Sequence, residues 1–549
     1  MSSSLKIQVP DAVVNPVIKI PLGHIIEGSL TEGFVMRVAR EANLEEIKAG
    51  KFVAISGNEY TFFSMITNLT LQVAHPDILL YPPTERDHLL RDFLKKKSIY
   101  ATAQVKPMIA LTKQGNTIPV KTVPQHFAAV HEASSRDVAA IFGAETDSTR
   151  KYFNMGHPLD MDAPVCIDLE KLAERSTGVF GKSGTGKTFL TRLLLAGLIK
   201  KSVATTVIFD MHNEYGVQAR QESDAKFVKG LKALFPSKVA IFSLDPQATR
   251  RRGAQPDVEV QISYDDIHVE DIMSLQTELN LHSTALEAAY LIYGKYKDQW
   301  LTALLEQGHD AKEFAQQLGA HPESIAALYR KLKRIEKLPF VVKKIPHRDS
   351  VIDRLMEYVQ KDIHVVIEFG NQTTTFCYLL VANVITRRIH HEYVQKTEHY
   401  LGTQRAQDEP QKLMIVIEEA HKFLNPIAAS QTIFGIIARE MRKYFVTLFV
   451  IDQRPSGIDP EVLSQIGTKI VAQLSDEKDI QAVLMGASNA TTLRAVLGSL
   501  DTKKQALLVG HAITMPMVIE TRTYDQTFYA DMQDEIMARP VKEVIDDLF

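Results

Sequence analysis

The pattern of hydrophobic and polar residues changes character along this chain. From residue 15 to about 130, short segments rich in Val, Phe, Thr and Ile are separated by Gly, Asn or Pro: GFVMRV, KFVAIS, TFFSMITNLTLQVA and SIYATAQVKPMIAL. Such segments predict β-strands, and the turn-like QGN before TIPVKTV predicts a hairpin. Short strands at this spacing predict a small β-barrel, flanked by one helix over RDHLLRDFLKKK.

From about residue 165 the pattern becomes strand, glycine-rich turn and helix. VFGKSGTGKT leads into FLTRLLLAGLIKK, whose Leu and Ala positions repeat at helical spacing. The nearly all-apolar TTVIFD is typical of a parallel strand that is covered on both faces. HVVIEF, LMIVIEE, VTLFVID and KIVAQL resume the alternation, and QALLVGHAI with MPMVIETRTY predicts a closing hairpin. We therefore predict an α/β fold with a parallel sheet and helical crossovers.

A third pattern interrupts this core. Residues 265–345 are helical in character and have few β-branched runs, so we interpret them as an insertion. The resulting division of the chain is an N-terminal β-barrel domain with linker (1–150), a first part of the α/β core (151–264), a helical insertion (265–350), a second part of the core (351–524) and an acidic helical tail (525–549).

Composition narrows the class of protein. Of the 549 residues 45% are hydrophobic and 23% charged, as in soluble globular proteins. Cys166 and Cys377 are too few for a disulfide framework or a four-cysteine zinc site, which fits the reducing cytoplasm. No apolar run of about 18 residues predicts a membrane helix. The net charge of −3 argues against a coat-like nucleic-acid binder, but not against DNA in a local basic channel.

The glycine-rich turn predicts a phosphate site. Residues 181–188 match the G-x-x-x-x-G-K-[ST] pattern in full, with Gly181, Ser183, Gly184, Thr185, Gly186, Lys187 and Thr188 as candidate nucleotide ligands. Glycines let backbone N–H groups turn toward phosphate oxygens, and the following helix points its positive end at them. Lys187 is expected on the β- and γ-phosphates and Thr188 on magnesium, so the predicted cofactors are ATP and Mg²⁺.

Acids that follow two buried strands complete the predicted site. Glu418 is expected to bind magnesium and orient its water, and Glu419 to polarise the attacking water. Asp210 and Glu214 follow the strand after the phosphate loop, and we expect them at the rim of the site. Glu214 is the alternative catalytic base. His421 is expected to have a structural role.

A sensor and a cationic group are also expected. Gln453 follows the strand VTLFVID, at the edge where ligands bind, and could sense the γ-phosphate. The transition state requires an arginine, which a neighbouring subunit often supplies. Candidates are Arg175, Arg439 and Arg442. The last two are three residues apart, so we expect them on one helix face, with surface ion pairs as the alternative.

These residues resemble the HerA family of hexameric ATPases, in the HerA/FtsK branch of P-loop motors. The segments on which this resemblance is based are GVFGKSGTGKTFLTRLL, IFDMHNEYG, LMIVIEEAHKFL, IAREMRKYFVTLFVIDQRPSGIDPEVLSQIGTKIVAQL and ALLVGHAITMP. The resemblance implies a RecA-like P-loop core, a ring of six subunits with nucleotide between them, duplex DNA in the pore, and a nuclease or another effector on the barrel. Glu418 in place of the usual Asp, and Asn213 in place of the common Gly, depart from the family pattern.

Three functions fit these residues. The first is an ATP-dependent DNA translocase or helicase for DNA-end processing or anti-phage defence, with candidate DNA contacts at 330–337 and at Lys343 and Lys344. The second is a ring scaffold that ATP assembles to activate a partner without processive movement. The third, a DNA-transfer ATPase of the conjugation type, is disfavoured because no membrane segment is predicted.

Overall fold

A computed structural model describes residues 21–48, 50–74, 77–80, 94, 98–220, 227–345, 350–486, 490–500 and 504–537. Contacts divide the chain into two compact units, Met1–Ile141 and Phe142–Phe549. The helix predicted over RDHLLRDFLKKK lies outside the described residues except for Leu94, and so does the tail beyond residue 537. The five-part division of the chain stays a prediction.

The first unit is built on one antiparallel sheet. Its strands are β1 (Gly23–Ser29), β2 (Gly33–Val38), β3 (Phe52–Ser56), β4 (Tyr60–Val73), β5 (Ile99–Thr112), β6 (Thr117–Ile118) and β7 (Ala129–Glu132), and its helices are α1 (Asp77–Leu80) and α2 (Ser135–Phe142), the second reaching the boundary of the next unit. The strand order is β2-β1-β7-β3-β4-β5-β6, and β2 pairs with β5 as well. Val53, Ile55 and Ile66 are fully buried on one face of this sheet.

The sequence located four of these strands and one turn. GFVMRV, KFVAIS and the two longer segments are β2 to β5, although β4 and β5 are 14 residues long rather than short. The predicted hairpin is confirmed, because β5 and β6 pair antiparallel around Gly115, whose φ of 84° favours glycine. Strands β1 and β7 were not distinguished by their sequence pattern.

The second unit contains a sheet of twelve strands. The strands of this unit, among the described residues, are β8 (Tyr152–Pro158), β9 (Val165–Asp168), β10 (Thr177–Phe180), β11 (Thr205–Asp210), β12 (Gln218–Arg220), β13 (Phe227–Lys229), β14 (Val239–Ser243), β15 (Val258–Glu259), β16 (Ile262–Ser263), β17 (Val341–Val342), β18 (His364–Glu368), β19 (Leu413–Glu418), β20 (Val446–Asp452), β21 (Thr468–Val471), β22 (Gln505–Gly510) and β23 (Met517–Thr521). The order in the large sheet is β15-β14-β18-β11-β19-β20-β10-β21-β22-β23-β8-β9. The pairings from β15 to β21 are parallel, which confirms the predicted parallel α/β sheet.

Helices cover this sheet. They are α3 (Leu169–Glu174), α4 (Lys187–Lys201), α5 (Leu231–Leu234), α6 (Pro246–Arg251), α7 (Val269–Met273), α8 (Gln276–Leu279), α9 (Ser283–Tyr296), α10 (Trp300–Gln307), α11 (Ala311–Leu318), α12 (Pro322–Leu332), α13 (Val351–Gln360), α14 (Thr375–Thr403), α15 (His421–Leu424), α16 (Ala428–Gln431), α17 (Ile433–Glu440), α18 (Pro460–Gln465), α19 (Glu477–Leu484), α20 (Ala490–Ser499) and α21 (Gln526–Met537). Among the residues that the structure describes, none of the helices has both the length and the hydrophobicity that crossing a bilayer requires.

Residues 265–337 are helical, as their composition predicts. Helices α7 to α12 fill this stretch, and β16 pairs with β17 at its two ends. Arg387 on α14 donates hydrogen bonds to the buried carboxylate of Asp271 on α7, and this ion pair ties the helical stretch to the core. Trp300 is fully buried, and its indole donates to the carbonyl of Ile267.

The remaining strands close the sheet on one side. Strands β22 and β23 pair antiparallel, which confirms the predicted hairpin. Strand β23 then pairs with β8, and β8 with β9, an extension that the sequence did not predict. Both cysteines are buried and free. Because β10, β11, β19 and β20 are parallel neighbours, their carboxyl ends share one edge, and the predicted site residues follow them there.

Candidate active site

The phosphate loop connects β10 to α4. All four residues of β10 are buried, and α4 begins at Lys187, directly after the glycine-rich turn. Gly184 and Gly186 have φ values of 77° and 89°, which glycine adopts without steric cost. A Cβ atom on Gly181 would lie 2.7 Å from the Thr185 hydroxyl, so this position also needs glycine. The loop therefore exposes backbone N–H groups instead of side chains.

A cavity of about 270 Å³ opens at this loop. From the loop it is lined by Ser183, Gly184, Gly186, Lys187 and Thr188; Gly181 and Thr185 lie behind these residues. The Lys187 ammonium donates to the carbonyl of Lys182 at 2.9 Å, and the Thr185 hydroxyl donates to the same carbonyl at 2.7 Å. These bonds hold the loop curved around the cavity.

Acidic residues from the neighbouring strands line the opposite wall. Glu418 ends β19, Glu419 follows it, and Gln453 follows β20; all three side chains face the cavity. Strand β20 lies between β19 and the phosphate-loop strand β10. The two halves of the predicted site thus meet at one cavity, although they are far apart in sequence.

Glu418 is held by two tyrosines. Its Oε1 accepts a hydrogen bond from the Tyr215 hydroxyl at 3.1 Å, and its backbone N–H donates to the Tyr378 hydroxyl at 3.0 Å. The Tyr378 hydroxyl also donates to the carbonyl of Glu418. The side chain is buried, and its Oε2 has no hydrogen-bond partner among the described residues. Burial, followed by the charges of Asp210 and Glu214, raises the pKa of Glu418 well above its usual value.

Glu419 has an unusual backbone and a defined partner. Its φ is 49°, in the left-handed region, which turns the side chain out of the strand direction. Its Oε1 accepts a hydrogen bond from the Gln453 amide at 2.9 Å. About a quarter of the side chain is exposed, at 23%. A carboxylate on a strained turn that faces a cavity is suited to receive a proton from a bound water.

His421 braces this turn. Its backbone N–H donates to Asp452 Oδ2 at 2.6 Å, and its ring Nδ1 lies 3.0 Å from the same oxygen. The hydrogen bond to the Asp452 carboxylate raises the pKa of His421, although burial acts in the opposite direction. The ring also lies 3.8 Å from Glu419 Oε2. His421 connects the ends of β19 and β20, in agreement with the structural role expected for it.

The turn after β11 approaches the loop from another direction. Asp210 is fully buried, and its carboxylate accepts the backbone N–H groups of Glu214, Tyr215 and Gly216. Burial and the neighbouring Glu368 raise the pKa of Asp210 to about 7. Glu214 lines the cavity, and its Oε2 accepts the Thr188 hydroxyl at 2.9 Å. Glu214 thus lies at the site, whereas Asp210 lies beneath it.

Asn213 illustrates a tolerated substitution in this turn. Its φ is 56°, a conformation that glycine favours and that asparagine tolerates better than most residues. The side chain also exchanges two hydrogen bonds with the backbone of Gly370, at 2.8 and 3.1 Å. These bonds offset the conformational cost, so this departure from the family pattern preserves the turn.

The predicted arginines do not line the cavity. Arg439 forms an ion pair with Glu461 at 3.3 Å, and Arg175 is exposed beside Gly467. The predicted shared helix face is wrong, because α17 ends at Glu440 and Arg442 lies in the 3₁₀ turn Met441–Tyr444 that leads into β20. Within the part of the chain that the structure describes, Arg192 is the arginine that lines the cavity.

The residues present fit a magnesium nucleotide. The loop offers backbone donors and Lys187 for phosphates, and the unpartnered Oε2 of Glu418 is a buried acceptor without a cation. No cluster of three or more metal-ligating side chains occurs among the described residues. Magnesium in phosphate sites usually takes one or two protein ligands and completes its shell with phosphates and water. When bound, magnesium would neutralise the charge that develops on the phosphates.

Three residues of the site were missed from sequence. Tyr215 and Tyr378 act through hydroxyl groups that only the fold brings to Glu418. Arg192 is 1% exposed, and its guanidinium donates to the carbonyl of Glu214 at 2.6 and 3.1 Å. The sequence did offer a signal for Arg192, which is the one arginine in the apolar run of α4. A buried charge requires a partner, so its position indicates a polar contact in the core.

The chain is similar to several known proteins. The family model "Helicase HerA, central domain" matches residues 153–389. The chain is 22% identical over 527 residues to the DNA double-strand break repair helicase HerA of Sulfurisphaera tokodaii, covering 92% of this chain and 93% of the relative. It is 22% identical to the protein of the same name in Pyrococcus furiosus, covering 66% and 67%. The structure of VirB4 of Thermoanaerobacter pseudethanolicus is 15% identical, covers 68% of this chain and 96% of that chain, and has a TM-score of 0.44.

Proposed function

We propose that this chain, whose residues 153–389 match the model of the helicase HerA central domain and which is similar to HerA helicases over most of its length, is an ATP-driven DNA translocase or helicase that acts as a ring. The observation that carries the proposal is the convergence of residues 183–188 with Glu418 and Glu419 on one cavity. Curated relatives that match most of its length are named DNA double-strand break repair helicases, which supports DNA as the substrate.

Each site residue receives a role in this proposal. Lys187 and the loop backbone bind the phosphates, Thr188 and Glu418 act on magnesium, and Glu419 accepts the proton of the attacking water. Gln453 donates to Glu419 at 2.9 Å. When loss of the γ-phosphate moves Glu419, this hydrogen bond transmits the movement to Gln453. Hydrolysis then alters the end of β20 and the chain that follows it.

None of the three candidate arginines lines the cavity of its own subunit, which supports an active site shared between two subunits. Arg192, which lines the cavity, donates from both Nε and Nη2 to the Glu214 carbonyl. We propose that Arg175, Arg439 or Arg442 of a second copy supplies the charge for the transition state. If so, Lys187→Ala subunits mixed in equal amounts with subunits that lack the acting arginine would regain part of the activity that each variant lacks alone. Arg175→Ala, Arg439→Ala and Arg442→Ala are each mixed with Lys187→Ala to find which arginine this is.

The first unit is proposed as a small β-barrel that precedes a RecA-like core. The pairing of β2 with both β1 and β5 supports this, because it links distant positions in the strand order. A nuclease or another effector is the proposed partner of this unit, in DNA-end processing or anti-phage defence, and a ring of six is the proposed assembly.

A basic surface is the candidate DNA contact. Exposed cationic side chains of α12 and the turn that follows are Arg330, Lys331, Lys333, Arg334 and Lys337, with Lys343 and Lys344 nearby in sequence. Four of them already have partners within the unit. Lys343 pairs with Glu306 at 3.2 Å, and Arg334 lies 4.3 Å above the Phe376 ring. Lys333 donates to the Tyr329 hydroxyl at 2.9 Å, and Arg330 donates to the carbonyl of Ala326 at 3.3 Å. The remaining charges are available for phosphate contacts, which carry most non-specific affinity for DNA.

The test is the ATPase rate with and without duplex DNA at low salt. We expect DNA to stimulate hydrolysis, and we expect Lys331→Glu with Lys337→Glu to weaken both stimulation and binding. Glu278→Lys with Glu287→Lys, on exposed positions of α8 and α9, is the matched control for charge reversal. Hydrolysis without any DNA binding or stimulation would contradict the DNA part and favour an ATP-assembled scaffold for a partner.

A further inference from the structure

The Thr188 hydroxyl is bound by an acid from an unexpected strand. It donates to Glu214 Oε2 at 2.9 Å, and Glu214 belongs to the turn after β11. Glu418, the acid that was expected nearest to magnesium, instead accepts the Tyr215 hydroxyl through Oε1. Two adjacent residues of one turn therefore reach the two halves of the site, one on the phosphate loop and one on the catalytic strand.

The position of Glu214 is built into the fold. The Asp210 carboxylate accepts its backbone N–H at 2.8 Å, and the buried Arg192 guanidinium donates to its carbonyl. Arg192 lies one helical turn after Thr188 on α4, so the turn is attached to the helix that carries the hydroxyl. Gly216 lets the chain pass Glu368, since a Cβ atom there would lie 2.2 Å from Glu368 Oε1. Asp210 and Arg192 thus hold both backbone groups of Glu214, and the turn that follows is tightly packed.

A threonine hydroxyl has one proton and two lone pairs. When a carboxylate accepts the proton, the lone pairs are directed away from that carboxylate and remain available to a cation. Glu214 and Thr188 both line the cavity at the phosphate loop. A partner that fixes a metal ligand commonly contributes 10- to 100-fold to metal affinity.

We propose that Glu214 is the positioning residue that orients the Thr188 hydroxyl for magnesium, while Glu418 acts on the magnesium shell without contacting Thr188. This inference rests on the proposed function, because it assumes a magnesium nucleotide in the cavity. It assigns Glu214 a role different from that of a catalytic base: its removal changes the affinity for magnesium and not only the rate of hydrolysis.

The test is a double-mutant cycle on nucleotide binding. A fluorescent, non-hydrolysable ATP analogue is titrated at increasing Mg²⁺, and the Mg²⁺ midpoint of binding is measured for Thr188→Val, Glu214→Ala and the double variant. We expect each single variant to raise the midpoint about tenfold, and the double variant to be no worse than Thr188→Val alone, because the two side chains act as one unit. Glu418→Gln combined with Thr188→Val is the matched comparison, and its effects should multiply.

Affinity for the analogue in EDTA reports the integrity of the loop and should change less than twofold in every variant. If Glu214→Ala lowers that affinity, Glu214→Leu, which fills a similar volume and cannot accept the Thr188 hydroxyl proton, replaces it in the cycle. Two outcomes would overturn this inference but leave the proposed function standing. In one, the effects of the Glu214 and Thr188 variants multiply in the double variant; in the other, the Mg²⁺ midpoint is unchanged in both Glu214 variants. A wild-type protein that binds no nucleotide with or without Mg²⁺ would overturn the proposed function as well.

Discussion

The phosphate loop and the acidic wall face each other across one cavity, but they are made in different ways. The loop is a continuous segment of eight residues, and its proposed phosphate and magnesium ligands are backbone N–H groups and the side chains of Lys187 and Thr188. The wall is assembled from three turns, which follow β11, β19 and β20; Glu418 is buried in it, whereas 23% of the Glu419 side chain is exposed. The loop is organised by local conformation and the wall by the order of the strands.

This difference separates two kinds of constraint. The loop needs glycine where φ is positive, a requirement that does not depend on the rest of the fold. The wall gathers negative charge that burial makes unfavourable, and the pKa values of Asp210 and Glu418 are raised as a result. A bound cation relieves that repulsion. The conformation of the loop is therefore suited to binding phosphate, and the negative charge of the wall is suited to binding the cation that accompanies the phosphate.

Glu419→Gln should have the largest effect on the wall. The amide cannot accept a proton from water, so we expect hydrolysis to fall about 100- to 10,000-fold. Nucleotide binding should change little, because the amide keeps the size of the side chain and its position opposite Gln453. Single-turnover hydrolysis and analogue binding measure the two quantities. Near-normal hydrolysis would return the base role to Glu214, the alternative candidate.

Lys187→Ala should have the next largest effect, and it acts on the loop. The ammonium lies in the cavity wall and is held by the carbonyl of Lys182, so its loss removes the side-chain cation of the phosphate site. We expect analogue affinity to fall about 100-fold, since removing one donor from a preorganised anion site costs this order. Lys182→Ala, which keeps the carbonyl, is the control, and calorimetric titration is the measurement. An equal loss in both variants would place the effect in loop folding.

The loop and the strands around it could be predicted from the sequence, because both are recognised from short, continuous segments. Strands β10, β11 and β18 to β21 are buried runs that periodicity detects, and the glycines mark the turn. The contact between Tyr215 and Glu418 joins residues 203 positions apart, and it depends on β11 lying beside β19. Strand order is not encoded in local periodicity, so the two tyrosines and the bond from Glu214 to Thr188 could not be predicted.

Short strands were missed for a related reason. Strands β8, β9 and β14 have four to seven residues, and their pairing with neighbouring strands is what identifies them as strands. The antiparallel pairing of β22, β23, β8 and β9 is set at the side of the sheet and not by their own residues. The length of β4 and β5 depends on their pairing with each other.

Gly216→Ala tests how tightly the wall is packed. The added Cβ would lie 2.2 Å from Glu368 Oε1, and Glu368 is fully buried between Arg252 and Thr249. Because this carboxylate has no room to move, we expect a loss of about 1–3 kcal/mol in the free energy of unfolding. Gly402→Ala is the control, since it lies in α14 with open space around it and should be neutral or slightly stabilising. Thermal unfolding compares the two, and equal melting temperatures would mean that the turn adapts.

His421→Gln should have the smallest effect, and it depends on pH. The Asp452 carboxylate raises the pKa of His421 in the native state. A raised pKa means that the stabilising charge is fully present below the ordinary value of about 6.5 and is lost as pH rises through the native pKa. We expect the variant to be less stable than wild type by about 1 kcal/mol at pH 6, and the difference to shrink toward pH 9.

Thermal unfolding of both proteins across this range measures the difference, and an Asp452→Asn background provides the control because it removes the partner charge. In that background the pH dependence of the difference should disappear. A difference that grows with pH would mean that the neutral ring is the stabilising form. In that case the bond from His421 to Asp452 would brace the wall through its geometry alone, and the charge on the ring would contribute nothing to holding Glu419 at the cavity.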